Sequence, residues 1–193
     1  MLNWLRRLLT TEPRTNPLPD QDNGIYTRPA TWADVIFTMR LLNAAGVRYV
    51  LVGGYALATH GYVRMTEDIA IAVSPDPENT RRWISALAQL PDGAAHEMAE
   101  KADPFDGDYL HAIRINDEFT VDVLPAAAGV PFAELERHIE WLELEGERIP
   151  VLDLIGLLKT KQGLRPKDQA DAAVLRRALA LRADRKDGAD QGP

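Results

Sequence analysis

Apolar residues recur along the chain with spacings that change several times, and each change marks a predicted element. After Thr31, a typical helix N-cap, a helical spacing that stops at Gly46 gives a common inward face to Val35, Ile36, Met39, Leu41 and Leu42. Segment 48–52, RYVLV, predicts a short buried strand. Strict alternation in 68–73, DIAIAV, predicts a second strand.

The later part of the chain carries two predicted hairpins and three predicted helices. Segments 109–115 and 119–125 alternate like strands and are joined at Asn116-Asp117, a typical turn pair, and 141–151 predicts a second hairpin around Glu145-Gly146. Helical patterns follow Pro77 and cover 152–162 and 166–183. Strands between early and late helices predict an α/β (α+β) fold, a small mixed sheet flanked by helices with further helices at the C-terminal end.

The two ends of the chain differ from this body. Residues 11–28 are rich in Pro, Asn, Asp and Thr without periodicity, which indicates an extended arm, and 1–9 (MLNWLRRLL) predicts a short amphipathic helix. We therefore expect an N-terminal helix and arm over 1–28, one folded domain over 29–183 and a frayed tail over 184–193.

Composition narrows the classes of protein. The chain has 193 residues, 46% of them hydrophobic, which is enough for one sizeable core. It contains no cysteine, so disulfides and thiolate zinc sites are excluded and a bound metal must be held by oxygen or imidazole. A formal net charge of −7 argues against non-specific coating of nucleic acid. Segment 1–9 fits a signal peptide poorly and is too short to span a bilayer, so we expect a cytoplasmic protein with no membrane partner.

A glycine pair and two separated acids carry the candidate chemistry. Gly53 and Gly54 lie between a predicted strand and a short predicted helix, where backbone N–H groups can approach a triphosphate, although a tight turn is the simpler explanation of the pair alone. Asp68 and Asp122 lie on the non-apolar faces of two predicted strands. Carboxylates that converge from adjacent strands would hold Mg²⁺, whereas each acid alone suits a solvated strand end.

Segment 52–73, VGGYALATHGYVRMTEDIAIAV, resembles the core signature of the nucleotidyltransferase superfamily, in the branch of minimal nucleotidyltransferases and AbiEii-type toxins of bacterial toxin–antitoxin systems. In that branch a Gly-Gly helix precedes an R-x-T-x-D-I-D strand, and a third Asp comes from a later strand. The matching positions are Gly53, Gly54, Arg64, Thr66, Asp68 and Asp122. Segment 157–175, LLKTKQGLRPKDQADAAVL, also resembles the branch's helix pair, in which a Lys precedes R-x-K-D-x-x-D.

The resemblance implies a nucleotidyltransferase fold and a Mg²⁺-dependent enzyme that moves a nucleoside monophosphate from a nucleoside triphosphate to an acceptor. It also implies a tRNA 3′ end or a protein hydroxyl as acceptor, and a cognate antitoxin as partner. Asp68, residue 70 and Asp122 would form the catalytic triad, with Asp68 and Asp122 as metal ligands. The nucleotide would be bound by Gly53, Gly54, Arg64, Lys159 and Lys167.

Ala70 departs from the family pattern, because the family has its second metal-binding Asp there. A methyl group ligates nothing, so we expect this chain to be inactive or impaired. Three explanations stay open: an engineered Asp→Ala change that lets a toxic enzyme be expressed, a natural loss that leaves a nucleotide-binding pseudoenzyme, or a misleading resemblance. The intact residues around Ala70 favour the first. Glu67 is a poor substitute ligand, because alternation directs its side chain to the opposite face.

Simpler roles and other functions compete with these assignments. Lys159, Lys161, Arg165 and Lys167 also suit a solvated helix face, and Asp168 and Asp171 suit capping of the last helix. Core packing is the better role for Trp83, Trp141 and Phe132. At the level of function, a non-catalytic nucleotide-binding or antitoxin-like module and a small-molecule nucleotidyltransferase of the aminoglycoside-modifying type remain alternatives.

Overall fold

A six-stranded mixed sheet organises the fold in this computed structural model, which describes residues 27–100, 103–105, 111–163 and 165–189. The strands in chain order are β1 (Tyr49–Val52), β2 (Asp68–Val73), β3 (Ile113–Asn116), β4 (Thr120–Leu124), β5 (Ala126–Ala127), β6 (Val130–Pro131), β7 (Ile139–Leu144) and β8 (Glu147–Leu152). The large sheet has the order β3-β4-β2-β1-β8-β7, and β5 and β6 form a separate two-stranded ribbon. β4 is parallel to β2 and β8 is parallel to β1, and the other pairs of the large sheet are antiparallel.

The helices lie before, between and after these strands. They are α1 (Trp32–Ala44), α2 (Gly53–Thr59), α3 (Pro77–Leu87), the single turn α4 (Phe132–Leu135), α5 (Leu154–Lys159) and α6 (Pro166–Ala189). Thr31 starts α1 with a capping box, because its hydroxyl accepts from the Asp34 N–H and the Asp34 carboxylate accepts from the Thr31 N–H at 2.7 Å. The predicted mixed α/β architecture with C-terminal helices is confirmed.

The core lies between the helices and the apolar face of the sheet. Ile69, Ile71 and Val73 of β2 are fully buried, as are Val121 and Val123 of β4. On the other face, Asp68 and Ala70 of β2 and Thr120, Asp122 and Leu124 of β4 are partly open to solvent, whereas Ala72 is buried. The alternation therefore leaves one face of the central strands free for a cleft.

Three details of the sequence prediction differ from the structure. The last helix continues to Ala189, beyond the predicted end at 183, and the helix predicted over 152–162 is the shorter α5. Trp141 is 55% exposed, with the Arg148 guanidinium 4.3 Å from the centroid of its ring, so core packing was wrong for this residue. The reason is that β7 is an edge strand of the sheet. Trp83 and Phe132 are buried as predicted.

The predicted amphipathic helix over 1–9 and the arm up to residue 26 lie outside the described residues. Within the described ranges, every helix is too short or too polar to cross a bilayer.

Candidate functional site

One row of residues crosses four strands of the sheet and forms the floor of a cleft. In this row Arg114 of β3 lies opposite Asp122 of β4, Asp122 lies opposite Ala70 of β2, and Ala70 lies opposite Val52 of β1. Residues directly opposite one another on paired strands point to the same face. The cleft above this face has a volume of about 1020 Å³, which is large enough for a nucleotide-sized ligand.

The glycine pair at the start of α2 brings the backbone close to this row. Gly53 has a φ of 71°, and a Cβ at this position would lie 3.2 Å from the Ala70 Cβ. A Cβ on Gly54 would lie 2.6 Å from the Thr66 Cβ, a distance that normal packing does not allow. Gly53 is therefore required by its left-handed backbone, and Gly54 by the close approach of Thr66.

The two acids of the predicted triad meet an arginine. The Arg114 guanidinium donates to both carboxylate oxygens of Asp122, through Nε to Oδ1 and Nη2 to Oδ2, each at 2.8 Å. Its Nη2 also donates to Asp68 Oδ2 at 3.2 Å. Burial acts to raise the pKa of Asp122, but the bonds from Arg114 and the charges of Arg114 and Lys167 outweigh it and hold this pKa below its ordinary value. Asp122 is thus ionised and paired in the structure at neutral pH.

A second ion cluster forms the wall of the cleft beside α6. Lys161 is buried, and its ammonium lies 3.5 Å from Asp168 Oδ1 and 3.0 Å from Asp171 Oδ2. Arg165 donates to Asp168 at 2.9 Å, and Arg64 donates to Asp171 at 3.2 Å. Burial acts to raise the pKa of Asp168, and the bond from Arg165 and the charge of Lys161 outweigh it and lower that pKa. Lys161, Asp168 and Asp171 are therefore buried ion partners that join α6 to the residues after α5. They do not belong to a solvated helix face.

The cleft is more basic than the molecule as a whole. Its described lining contains four anionic residues, Glu67, Asp68, Asp122 and Asp168, and six cationic ones, Arg28, Arg64, Arg114, Lys161, Arg165 and Lys167. Glu67 was predicted on the opposite face, but it precedes the first residue of β2 and borders the cleft. The whole chain has a formal net charge of −7. Arg28, Arg64 and Lys161 also pair with acids just outside this lining, so the positive charge open to a small anion is centred on Arg114 and Lys167.

The structure brings most of the predicted site residues to this cleft. Its lining includes Gly53, Gly54, Arg64, Asp68, Ala70, Asp122 and Lys167. Lys159 is elsewhere, because its ammonium lies 2.6 Å from Glu134 Oε1 and the described lining does not include it. His60 is also outside this lining, and its Nε2 lies 2.7 Å from the Leu152 carbonyl oxygen.

The described residues do not fit a two-metal Mg²⁺ site. Position 70 offers only a methyl group, and the carboxylates of Asp68 and Asp122 are both bonded to Arg114. Across the described ranges, three or more His, Cys, Asp or Glu side chains nowhere come together as a metal site. Mg²⁺ needs oxygen ligands in near-octahedral geometry, and this donor set does not supply the three acids that the resemblance implies.

Arg114 is a residue of the candidate site that the sequence did not predict. It occupies the exposed face of a strand whose other face carries Ile113 and Ile115. The hairpin was predicted, but its register was not, and only the register shows that Arg114 lies opposite Asp122. Ala127 and Ala128 also line the cleft, and Ala128 has a φ of 51°, but the sequence around them gave no indication of a site.

Comparisons with known proteins find distant similarity to solved structures. No protein-family model matches the chain, and the search of curated proteins finds no match. Among solved structures, a similar chain is a candidate nucleotidyltransferase from Thermotoga maritima, with 17% identity and a TM-score of 0.48. The similarity covers 76% of this chain and 91% of that chain. A likeness this distant assigns no activity, which has to be inferred from the residues of the cleft.

Proposed function

We propose that this chain is a nucleotidyltransferase-type protein that binds a nucleoside triphosphate in the cleft and, with Ala70, does not transfer its nucleotidyl group. The observation that carries the proposal is the row Arg114, Asp122, Ala70, with Asp68 beside it, on the floor of a basic cleft. A close glycine backbone and cations that the two acids hold in place, Arg114 first among them, suit a polyphosphate. The methyl group opposite Asp122 supplies no third oxygen ligand.

The side chains that line the cleft divide into two groups by their partners. Arg64, Lys161 and Arg165 already pair with Asp168 or Asp171, so they fix the wall of the cleft. Lys167 is exposed and makes no ion pair among the described residues, and its charge acts on Asp122. Lys167 and the outer edge of Arg114 are therefore our candidates for direct contact with phosphate oxygens.

Calorimetric titration with ATP, CTP, GTP and UTP tests the binding step. We expect one of the four to bind and Lys167→Ala to weaken that binding. The matched control is Lys159→Ala, which removes a lysine of the same segment that pairs with Glu134 outside the cleft and should leave the affinity unchanged. A folded sample that binds none of the four nucleotides would contradict the proposal.

The transferase that Ala70 disables is proposed to be of the toxin type, with a tRNA 3′ end or a protein hydroxyl as acceptor and a cognate antitoxin as partner. The toxin type, its acceptor and its partner rest on the resemblance of segments 52–73 and 157–175. The expectation that activity can be restored is geometric, because residue 70 already lies opposite Asp122 and Ala70→Asp adds a carboxylate without a change of backbone. We expect this variant, incubated with Mg²⁺, labelled nucleoside triphosphates and bacterial lysate, to gain label transfer and to arrest growth when it is expressed.

The matched control for the gain is Ala70→Asp combined with Asp122→Ala, which should lose the transfer again. Transfer to an aminoglycoside instead of a macromolecule would replace the toxin type by the small-molecule type. If Ala70→Asp folds and binds nucleotide yet transfers nothing, the toxin-type enzyme is excluded and a non-catalytic nucleotide-binding or antitoxin-like module takes its place.

A further inference from the structure

We propose that Arg114 takes the place of a divalent cation between Asp68 and Asp122, so that a phosphate-bearing ligand binds this cleft without a metal ion. The identity of the ligand rests on the function proposed above. The position of the arginine does not, because it follows from contacts within the protein.

The geometry of Arg114 is that of a bridging cation. Its two bonds to Asp122 are parallel and both 2.8 Å long, and the same Nη2 reaches Asp68 at 3.2 Å. Bidentate arginine–carboxylate pairs are among the stronger charge-assisted hydrogen bonds. The backbone fixes this arrangement, because Arg114 and Asp122 are directly opposite one another on β3 and β4.

The alanine at position 70 is consistent with Arg114 in the place of a divalent cation. Asp68 and Asp122 contribute two negative charges, and Arg114 together with the nearby Lys167 contributes two positive ones. A third carboxylate at position 70, directly opposite Asp122, would leave an uncompensated negative charge beside them. The methyl group therefore belongs to a site that is neutral without a metal ion.

Arg114 also retains a surface for a ligand. Its side chain is 58% exposed, and Nη1 makes none of the three bonds to the acids. A guanidinium keeps all its donors at any physiological pH, and its planar fork suits phosphate oxygens. Arg114 can thus neutralise the two acids with one edge and bind a phosphate group with the other.

The first test uses Mn²⁺ and no nucleotide. We expect the unmodified chain to bind Mn²⁺ weakly or not at all, and Arg114→Ala, which frees both carboxylates, to bind it at least about tenfold more tightly, as measured by the paramagnetic resonance of free Mn²⁺. Arg114→Lys keeps the charge but not the bidentate bond, and should give an intermediate affinity. Combining Arg114→Ala with Asp122→Ala should remove the gain.

Arg82→Ala is the matched control, because Arg82 pairs with Glu78 on α3, away from the cleft, and its loss should not change Mn²⁺ binding. Equal Mn²⁺ affinity of the unmodified chain and Arg114→Ala would overturn the inference. If Arg114→Ala does not fold, Arg114→Lys decides the same question.

The second test titrates ATP in the presence of either EDTA or Mg²⁺. We expect the unmodified chain to bind ATP equally well in both, and Arg114→Ala to lose about tenfold in EDTA. Binding that requires Mg²⁺ would overturn the role of Arg114 and leave the proposed nucleotide site standing. Absence of ATP binding in either buffer, with no other nucleotide bound, would contradict the nucleotide site, and the Mn²⁺ result would still decide the role of Arg114.

Discussion

Gly53 and Gly54 are adjacent, but glycine is needed at the two positions for different physical reasons. Gly53 needs a positive φ, which only glycine adopts at little cost. Gly54 has no such backbone requirement, but Thr66 leaves no room for a side chain. A search for anion-binding glycines treats the two alike, whereas the packing assigns Gly54 to the contact between α2 and the segment before β2.

Gly54→Ala should lower the free energy of unfolding by about 1–3 kcal/mol, because the new methyl group overlaps Thr66. Urea unfolding followed by circular dichroism measures the change. The matched comparison is the same substitution in a Thr66→Gly background, where the overlapping atoms are absent and the cost should shrink. Equal costs in the two backgrounds would show that the contact is not the cause.

At the scale of elements, the hairpin of β3 and β4 shows what the sequence can and cannot provide. Alternation predicted both strands, and a two-residue turn at Asn116-Asp117 would pair Arg114 with Phe119. The actual register pairs Asn116 with Thr120 and therefore Arg114 with Asp122. The cause is Asp117, whose buried carboxylate accepts from the N–H groups of Asp92, Ala94 and Glu118. Two of these partners are distant in sequence, so no local pattern reveals them.

Asp117→Ala should lower the free energy of unfolding by about 3 kcal/mol, since it leaves three backbone N–H groups without their acceptor. Amide exchange at Asp92 and Ala94 should become faster, as measured by NMR. Asn116→Ala, one residue earlier and exposed, is the control and should change stability by less than about 0.5 kcal/mol. Comparable losses for both variants would contradict the role assigned to Asp117.

Lys161 joins the end of α5 to the first turns of α6, and its removal tests that connection. Lys161→Ala should destabilise the fold by about 3 kcal/mol, because Asp168 and Asp171 stay buried with one cation less. Lys167→Ala changes an exposed lysine of the same segment and should cost less than about 0.5 kcal/mol. The free energies of unfolding of both variants are measured by chemical denaturation. A loss for Lys161→Ala as small as that for Lys167→Ala would show that Lys161 does not stabilise the contact with α6.

For the whole molecule, the sequence predicted the architecture better than the side-chain partners. The α/β class, strand 68–73, strand 48–52 (observed as 49–52) and the start of α1 follow from periodicity and capping, which are local properties. The pairing of Lys161 with α6, of Lys159 with Glu134 and of Arg114 with Asp122 depends on elements that are brought together only by folding. The floor of the cleft was therefore predicted as two acids, and the arginine that neutralises them was not.

The stability of the molecule should fall in acid. Burial acts to raise the pKa values of Asp34, Asp122 and Asp168. In each case an arginine donates to the carboxylate and helps to lower the pKa, which lies below the ordinary 3.8. A carboxyl group whose pKa is lower in the folded state stabilises the fold above its unfolded pKa of about 3.9. That contribution is lost as the pH falls through the folded pKa.

We expect the urea midpoint to change little between about pH 7 and pH 5 on account of these groups and to decrease below about pH 4. Asp34→Asn should lower the midpoint at neutral pH and make the decrease in acid shallower, because it removes one of the three groups. A urea midpoint that increases as the pH is lowered from 5 to 3 would contradict the assigned direction of these pKa values.

The contrast between an acidic molecule and a basic cleft also determines how ligand capture responds to ionic strength. A small polyanion is repelled at long range by the net charge of −7 and attracted at short range by the cationic excess of the cleft. At physiological salt, charges more than about 8 Å apart in solvent are largely screened, so added salt weakens the repulsion as well as the attraction. The two effects partly cancel, and the dissociation constant for a short phosphate ligand should depend only weakly on salt.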